Sequence, residues 1–350
     1  MKVRLLAPFP PPYGGVALHC IRLLEGLRRS GLQATGVSQG GVPNGVDGIT
    51  KFGVGFFFSR TLVHYHTDEG NHRWMRLLSW YWWLTRTPYV VTVHSFRHRP
   101  EFTSVRVRKS LARAFARAKA VIGISDAVVR DLEARIGVRH KLTRTIPSTL
   151  PVSQWEHHSQ MSAEVPAEWQ GASVRLLSNA GRIVTYEGKD LYGIDVLVDA
   201  VSMISDPDLR LCIAIGEVVD HSRWQPIEQR INADERISII RNLNGPLAPM
   251  VAHAHVIVRP TRTEGGPSLT LTESLELGRW SVGSDSVPRP EGTVLFRNED
   301  AQDLARALRE CIGDVRRDVM PPAAPANIDA VQRIVKLYQR VGSQHAATTQ

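Results

Sequence analysis

Apolar residues in this chain alternate between short runs and longer stretches with helical spacing. Residues 2–7 form an apolar-rich run that ends in Pro and Gly, and the apolar positions that follow recur every three or four residues up to Gly31. This pattern predicts a strand, a loop and a helix. It continues with strands predicted at 62–66, 89–94 and 120–124 and helices predicted at 71–84, 104–118 and 126–135.

Between 151 and 172 the alternation stops, and the sequence is rich in Ser, Gln, His, Glu and Pro. It then starts again, with strands predicted at 174–180, 210–215, 237–240 and 256–259, a polar loop at 181–193 and a helix at 194–204. Alternation of strands and helices is typical of a parallel sheet covered by helices. The chain is therefore predicted to be an α/β protein with two doubly wound, Rossmann-like domains.

The predicted boundaries are 1–165 for the first domain and 166–326 for the second. Residues 327–350 are predicted to form a last helix, packed back on the first domain, and a tail. Ligands of open α/β sheets bind outside the carboxyl ends of the strands. Two such sheets in one chain are expected to face a central cleft, and this cleft is the expected active site.

The chain of 350 residues carries a net charge of +9, which is divided unevenly. Residues 1–150 contain 23 Lys and Arg against 8 Asp and Glu, whereas residues 151–350 contain 20 against 26. Three dispersed cysteines and the lack of an apolar run of ~18 residues predict a cytoplasmic protein without a membrane span. The basic half suits nucleic acid, an anionic membrane or an anionic acceptor, but no nucleic-acid-binding motif accompanies it, and no nucleic acid partner is expected.

The densest group of polar residues lies between 259 and 273. A predicted strand enters it, a glycine-bearing loop turns, and a predicted helix leaves it. Free N–H groups at a helix start bind an anion such as a diphosphate, and Ser268 is the expected N-cap. Glu264 before the loop and Glu273 in the helix can accept hydrogen bonds from hydroxyl groups. The residues expected to meet the phosphates are Gly265, Gly266, Pro267, Ser268 and Leu269.

These residues resemble glycosyltransferase family 4, whose members carry two glutamates flanking a glycine-bearing loop and a helix start. Glu273 continues here into Ser-Leu-Glu-Leu-Gly, where the family has Glu-Ala-X-Ala-X-Gly. The resemblance implies the GT-B fold, a retaining reaction, and contacts of Glu264 with the donor sugar and of Glu273 with the ribose. Eight residues separate the two glutamates, against seven in the family. An ordinary capped helix with solvated glutamates is the alternative interpretation.

A second segment resembles the Gly-Arg loop of the same family, whose Arg and Lys neutralise the donor diphosphate. It begins at Gly181 and contains Arg182 and Lys189. The resemblance implies that these cations stabilise the leaving group and that no metal is needed. Lys189 departs from the family, whose lysine immediately precedes the glycine of the next helix, where this chain has Tyr192. Gly216, at the end of a predicted strand, completes the expected donor-binding set.

The first domain carries further matches to the family. Gly14 and Gly15 match a glycine loop that approaches the donor, and His94 ends a strand where the family places a histidine against the reacting sugar. The preceding strand ends in two histidines on one face, but two histidines without a third ligand make a poor metal site. No metal is therefore expected. Acceptor-binding roles are predicted for His64, His66 and Ser125.

Two segments of the first domain suit a lipid surface. Four of the eight tryptophans fall within residues 73–84, beside two arginines, and residues 106–119 carry six Lys and Arg with apolar residues on another face. Tryptophan and arginine are common where a protein meets lipid headgroups. An anionic membrane surface is therefore a predicted partner, with the protein peripheral at the inner face of the membrane. Tryptophans in an ordinary core helix are the alternative interpretation.

The resemblance to glycosyltransferase family 4 implies a metal-independent, retaining hexosyltransferase. It would move a sugar from a nucleoside diphosphate sugar to a hydroxyl of a glycan, lipid-linked or other acceptor, in cell-surface polysaccharide or glycoconjugate biosynthesis. The predicted catalytic residues are His94, Arg182, Lys189 and Glu264, and no cofactor is expected beyond the nucleotide sugar as co-substrate. Two alternatives remain open. One is a nucleotide-sugar epimerase of GT-B fold, which needs no acceptor, and the other is a noncatalytic nucleotide-sugar-binding protein.

Overall fold

The chain forms two compact units in a computed structural model. The first unit comprises Met1–Ser153 and Asn327–Gln350, and the second comprises Gln154–Ala326. The residues that the structure describes are 1–11, 13–58, 61–67, 72–95, 104–137, 140, 142–148, 150–152, 156, 165–241, 245–264, 268–322 and 329–347.

A seven-stranded parallel sheet forms the centre of the first unit, in the order β3-β2-β1-β4-β5-β6-β7. Its strands are β1 (Lys2–Ala7), β2 (Gln33–Ser38), β3 (Ile49–Lys51), β4 (Leu62–Thr67), β5 (Tyr89–Val93), β6 (Ala120–Gly123) and β7 (Thr143–Thr145). The helices that follow them are α1 (Gly15–Arg29), α2 (His72–Leu84), α3 (Val105–Arg117) and α4 (Asp126–Ile136). β1, β4 and β5 are the central strands and are almost wholly buried because helices cover both faces of a parallel sheet.

The second unit contains a six-stranded parallel sheet in the order β12-β11-β8-β13-β14-β15. Its strands are β8 (Val174–Ile183), β11 (Leu209–Val218), β12 (Ile237–Arg241), β13 (Val256–Arg259), β14 (Trp280–Ser284) and β15 (Val294–Phe296). Its helices are α5 (Ile194–Ser202), α6 (His221–Asn232), α7 (Ala248–His253), α8 (Leu269–Glu276) and α9 (Ala301–Arg316). Leucine, isoleucine and valine from β8, β11 and β13 form its core with Trp224 and Phe296.

The polar loop predicted at 181–193 was wrong in part. β8 continues to Ile183, and a two-stranded hairpin follows, formed by β9 (Thr185–Tyr186) and β10 (Lys189–Asp190). The turn places Glu187 and Gly188 at φ 49° and φ 79°. Glycine adopts this left-handed conformation without strain. The two strands have only two residues each, which is too short for an alternation of apolar and polar residues that would predict them.

The last helix, α10 (Asp329–Ala347), belongs to the first unit although it follows the second in the chain. Its buried face consists of Ala330, Val331, Ile334, Leu337, Tyr338 and Val341. The Tyr338 hydroxyl lies 2.5 Å from Nδ1 of His64 on β4. Among the described residues no helix is both long enough and apolar enough to cross a bilayer.

We expect Gly26→Ala to destabilise the first unit by about 1–3 kcal/mol, the usual cost of overpacking. A Cβ atom at Gly26 of α1 would lie 2.8 Å from Cγ2 of Val331 on α10, closer than carbon atoms can pack. Chemical unfolding of the single variant measures the cost. In a Val331→Ala background the clash is absent, and the same change should become neutral or slightly stabilising because alanine favours a helix. An equal loss in both backgrounds would contradict this packing.

Candidate active site

β8 and β13 lie side by side in the second unit and form its topological switch point. From this pair the strand order runs outward through β11 and β12 on one side and through β14 and β15 on the other. In open α/β sheets ligands bind outside the carboxyl ends of the strands at such a point. The segments after Ile183 and after Arg259 therefore border the candidate site.

Glu264, which follows β13, is held by two arginines. Nε and Nη2 of Arg259 donate to its Oε1 at 2.9 and 2.6 Å, and Nη1 of Arg289 donates to its Oε2. Arg259 also donates to the Asn179 carbonyl oxygen on β8 at 2.7 Å, which ties the two central strands together. Its guanidinium lies over the ring of Tyr192, 4.8 Å from the centroid.

This arrangement keeps a buried carboxylate charged. Only 13% of the Glu264 side chain is exposed, against 11% for Arg259 and 1% for Arg289. Burial raises the pKa of Glu264, but the charges and hydrogen bonds of the two arginines outweigh it and leave this pKa below its ordinary value of 4.5. Each carboxylate oxygen has two lone pairs, so Oε2 retains one for a further donor.

α8 begins at the expected residue. Ser268 is its N-cap and accepts a hydrogen bond from the Leu271 N–H at 3.5 Å, so the N–H groups of the first turn, from Leu269 onward, point out of the helix start. Glu273 lies in α8 and is buried. Gly265, Gly266 and Pro267, which were predicted to meet the phosphates, lie outside the described residues.

Arg262 fixes the segment between β13 and Glu264, a role that was not predicted from the sequence. Its guanidinium donates to both carboxylate oxygens of Asp195 at 3.0 and 2.8 Å and to the Asp190 carbonyl oxygen. Gly193, with φ 66°, lies against the Pro260 carbonyl oxygen so closely that a Cβ atom there would overlap it. The start of α5 and the end of β13 are therefore joined in one rigid arrangement.

The two predicted diphosphate ligands each face a carboxylate. Arg182, at the end of β8, lies opposite Glu217 on β11, with Nε to Oε2 at 2.8 Å, and both side chains are more than half exposed. Lys189, on the hairpin, contacts Glu299. Exposed pairs such as these contribute little to stability, so both cations can exchange their partners for a phosphate. Gly216 lies against Gly181, where a Cβ atom would overlap the carbonyl oxygen of the neighbouring strand.

Gly14 and Gly15 begin α1 in the first unit. Gly14 is its N-cap, with φ −157°, which is extended backbone that any residue adopts. A Cβ atom on either glycine would meet no atom of the described residues within 4 Å. Neither the backbone conformation nor the packing of the described part of the first unit requires glycine at these positions, whereas the contact with Gly181 requires glycine at Gly216 in the second unit.

The predicted histidines lie together at the carboxyl ends of β4 and β5. His94 Nε2 is 3.1 Å from His66 Nδ1, and both side chains are buried. His64 lies deeper, with Nδ1 at the Tyr338 hydroxyl and Nε2 2.7 Å from Thr92 Oγ1. A fourth histidine, His19 on α1, joins this group with its ring 4.9 Å from that of His94. It was missed because a single histidine on an apolar helix face gives no signal in sequence.

Ser125 is the N-cap of α4 and accepts a hydrogen bond from the Val128 N–H at 3.3 Å.

The predicted lipid-facing segments are α2 and α3. One of the four tryptophans, Trp82, is buried against Tyr89, as a core helix requires. The exposed face of α2 consists of Trp74, Leu77, Trp80, Trp83 and Leu84.

Part of the second unit matches a known protein family. Residues 176–314 match the family model described as Glycosyl transferases group 1, from β8 into α9. The matched residues lie within the second unit and include the Arg182, Glu264 and Ser268 positions. None of the curated proteins matches the chain.

The whole chain is similar in fold to solved structures that include a glycosyltransferase. HepE of Anabaena, in complex with UDP and glucose, has a TM-score of 0.68 at 16% identity, with 99% of this chain and 100% of that chain covered. A glycosyltransferase from Rickettsia africae ESF-5 has a TM-score of 0.68 at 13% identity, with 97% and 98% covered. The catalytic domain of starch synthase IV from Arabidopsis thaliana, bound to ADP and acarbose, has a TM-score of 0.66 at 12% identity, with 98% and 99% covered. The predicted GT-B fold, with two Rossmann-like α/β units, is thereby confirmed.

Proposed function

We propose that this protein is a retaining glycosyltransferase that moves a sugar from a nucleoside diphosphate sugar to a hydroxyl of a glycan or lipid-linked acceptor. The observation that carries the proposal is the connection from β13 to α8. It combines a carboxylate fixed by Arg259 and Arg289 with a helix start capped by Ser268, at the switch point of the sheet in the unit that matches the Glycosyl transferases group 1 model. Neighbours of the same fold have been crystallised with UDP-glucose and with ADP.

The proposed roles follow the chemistry of each group. The helix start of α8 binds the diphosphate through its N–H groups. Arg182 and Lys189 leave Glu217 and Glu299 for the phosphates and stabilise the charge on the departing diphosphate, a task that a divalent ion performs in other enzymes. Glu264 accepts a hydrogen bond from a sugar hydroxyl on the free lone pair of Oε2.

Further contacts complete the proposal. Glu273 binds the ribose, and His94 binds a sugar hydroxyl near the reacting carbon. Gly14 and Gly15, which the first unit itself does not require, let backbone approach the donor.

The two exposed ion pairs of Arg182 and Lys189 also suit a protein that binds a nucleotide sugar without turnover, which is the second candidate function.

Donor binding is the first test. A screen of UDP-, GDP- and ADP-sugars should find one that raises the melting temperature, because a ligand that binds only the folded state stabilises it. Incubation of that donor with and without candidate acceptors, followed by sugar analysis, then separates the functions. Transfer supports the proposal, epimerised sugar without acceptor indicates an epimerase, and binding without any product indicates a noncatalytic protein.

We further propose that α2 and α3 attach the protein to the cytoplasmic face of an anionic membrane. Trp80 and Trp83 of α2 are exposed, and Arg117 of α3 stacks on Trp83 at 4.7 Å from its ring centroid. α3 exposes Arg106, Lys109 and Arg113, and its sequence contains no acidic residue. Aromatic side chains beside several cations favour an interface with anionic lipid.

Reversing the three charges on α3 should weaken binding to anionic vesicles by on the order of 100-fold, since each cation near the surface is worth ~1 kcal/mol. The variant is Arg106→Glu, Lys109→Glu and Arg113→Glu, and sedimentation with vesicles of increasing phosphatidylserine content measures it. The matched control reverses three other exposed cations of the first unit, Lys2, Lys51 and Arg144. Equal binding to neutral and anionic vesicles, or an equal loss in the control, would remove this proposal.

A further inference from the structure

A compact group of three histidines lies inside the first unit, drawn from three separate elements. His19 comes from α1, His66 from β4, and His94 follows β5. One ring nitrogen from each lies within 4.8 Å of the others, and the side chains are buried, with residue exposures of 2%, 0% and 6%. The sequence showed two of these residues on neighbouring strands, and the fold supplies the third from a helix 45 or more residues earlier.

Among the residues that the structure describes, two ring nitrogens of this group have no hydrogen-bond partner. Nδ1 of His19 lies 2.7 Å from the Ser148 carbonyl oxygen, which can only accept, so Nδ1 carries the hydrogen and Nε2 has a bare lone pair. That Nε2 is buried and has no hydrogen-bond partner among the residues that the structure describes. Within the same described residues Nε2 of His66 is also buried without a partner, and it has a bare lone pair when Nδ1 of His66 donates to His94 Nε2 at 3.1 Å.

A buried lone pair without a donor is costly, and few groups can satisfy several at once. Burial lowers the pKa of His19 to about 4 and holds the pKa values of His66 and His94 well below 6.5, so all three rings are neutral at pH 7. Neutral imidazole is the form that binds transition metals, and a hydrogen bond from Nδ1 to a backbone carbonyl is the usual support of a ligating histidine. The Ser148 contact provides this support for His19.

We propose that His19, His66 and His94 form a binding site for a divalent transition metal ion, with Zn²⁺ as the best fit. Zinc prefers three or four ligands at about 2.0–2.1 Å in tetrahedral geometry, and imidazole is among its commonest ligands. Nitrogens at that distance from one ion lie roughly 3.3 Å apart, so modest side-chain rotation closes the group around it. Three protein ligands leave the fourth position for water or another small ligand.

The ion would not replace the cations proposed to meet the diphosphate, which belong to the second unit. His94 is also the ring proposed above to meet the donor sugar. On that proposed function, the occupied site would inhibit transfer rather than support it. The binding itself is independent of the transfer reaction and is measured without donor or acceptor.

The test uses the full chain after removal of metal by a chelator. Zn²⁺ is added to the native protein and, separately, during refolding, and competition with a chromophoric chelator measures the affinity. We expect one Zn²⁺ per chain, and at least about tenfold weaker binding in His19→Gln and in His66→Gln. His140→Gln is the control, because His140 lies in the same unit, bonded to the Ala118 carbonyl oxygen and away from the group.

Co²⁺ gives a second measurement that needs no variant. Four-coordinate Co²⁺ in the unsubstituted chain should show strong visible absorption, which six-coordinate Co²⁺ on surface groups lacks, and Zn²⁺ should displace it. The proposal is overturned if the native and refolded chains bind no ion, if the absorption is that of six-coordinate Co²⁺, or if His140→Gln weakens binding as much as the other two variants.

Discussion

Arg182→Ala is expected to lower kcat by roughly 10²–10³-fold, the usual loss when one group that stabilises developing charge is removed. The guanidinium would meet the departing diphosphate, whose charge grows in the transition state. In the structure its partner is Glu217, and the side chain is 64% exposed, so the fold should not depend on it. Initial rates at saturating donor, with circular dichroism as a check of folding, measure the effect.

Arg230→Ala provides the matched control. Arg230 is also an exposed arginine of the second unit, paired with Asp199 and 42% exposed, but it lies on α6 away from the switch point. We expect its kcat to stay within about twofold of the unsubstituted protein, in line with the small effect of surface pairs. An equal loss of kcat in both variants would show that the effect is structural. An unchanged kcat in Arg182→Ala would show that Arg182 does not stabilise the departing diphosphate.

Glu264→Gln is expected to destabilise the second unit by about 3–5 kcal/mol, since removing one partner of a buried ion pair leaves the other charge uncompensated. Gln keeps the shape of the side chain, but it removes the charge and replaces one of the two acceptor oxygens that face Arg259 and Arg289 with an NH2 donor. Chemical unfolding measures the total loss, and hydrogen exchange in β13 and β14 localises it. Glu217→Gln, which breaks an exposed pair, should cost less than about 1 kcal/mol.

The same carboxylate gives a pH dependence of known sign. The pKa of Glu264 in the folded chain is below 4.5, so its contribution to stability is fully present above the unfolded value and disappears as the pH falls through the folded value. The difference in unfolding free energy between the unsubstituted protein and Glu264→Gln should therefore be constant above pH 5 and shrink at lower pH. A difference that grows on acidification would contradict the ion pairs seen around Glu264.

Much of the fold could be predicted from the sequence because the apolar runs along the chain coincide with the buried strands of the two sheets. The apolar runs of β1, β4, β5 and β13 are continuous, and strands buried on both faces give the clearest signal. β2 was missed because it mixes Gly, Ser and Thr with few apolar residues, and β7 was missed because its three residues, Thr-Arg-Thr, include no apolar one. The hairpin after β8 was missed because each of its strands has two residues.

The candidate site divides in the same way. Ser268 and Glu264 stood out because the loop and cap that position them are contiguous in sequence. Arg289 reaches Glu264 across 25 residues, and Arg262 reaches Asp195 across 67. Contacts of this length depend on which strands lie side by side, and a single sequence contains no direct record of that order. His19 belongs with them, since only the folded sheet brings it to His66 and His94.

The second unit is an insertion between two segments of the first, and this has a consequence for biosynthesis. A ribosome completes Gln154–Ala326 before it makes the helix that covers Gly26 and His64. Domains usually fold as their sequence emerges. The second unit should therefore reach its native state before the first. Until the last helix is made, the sheet of the first unit exposes an apolar face, and this is the surface that a chaperone would bind.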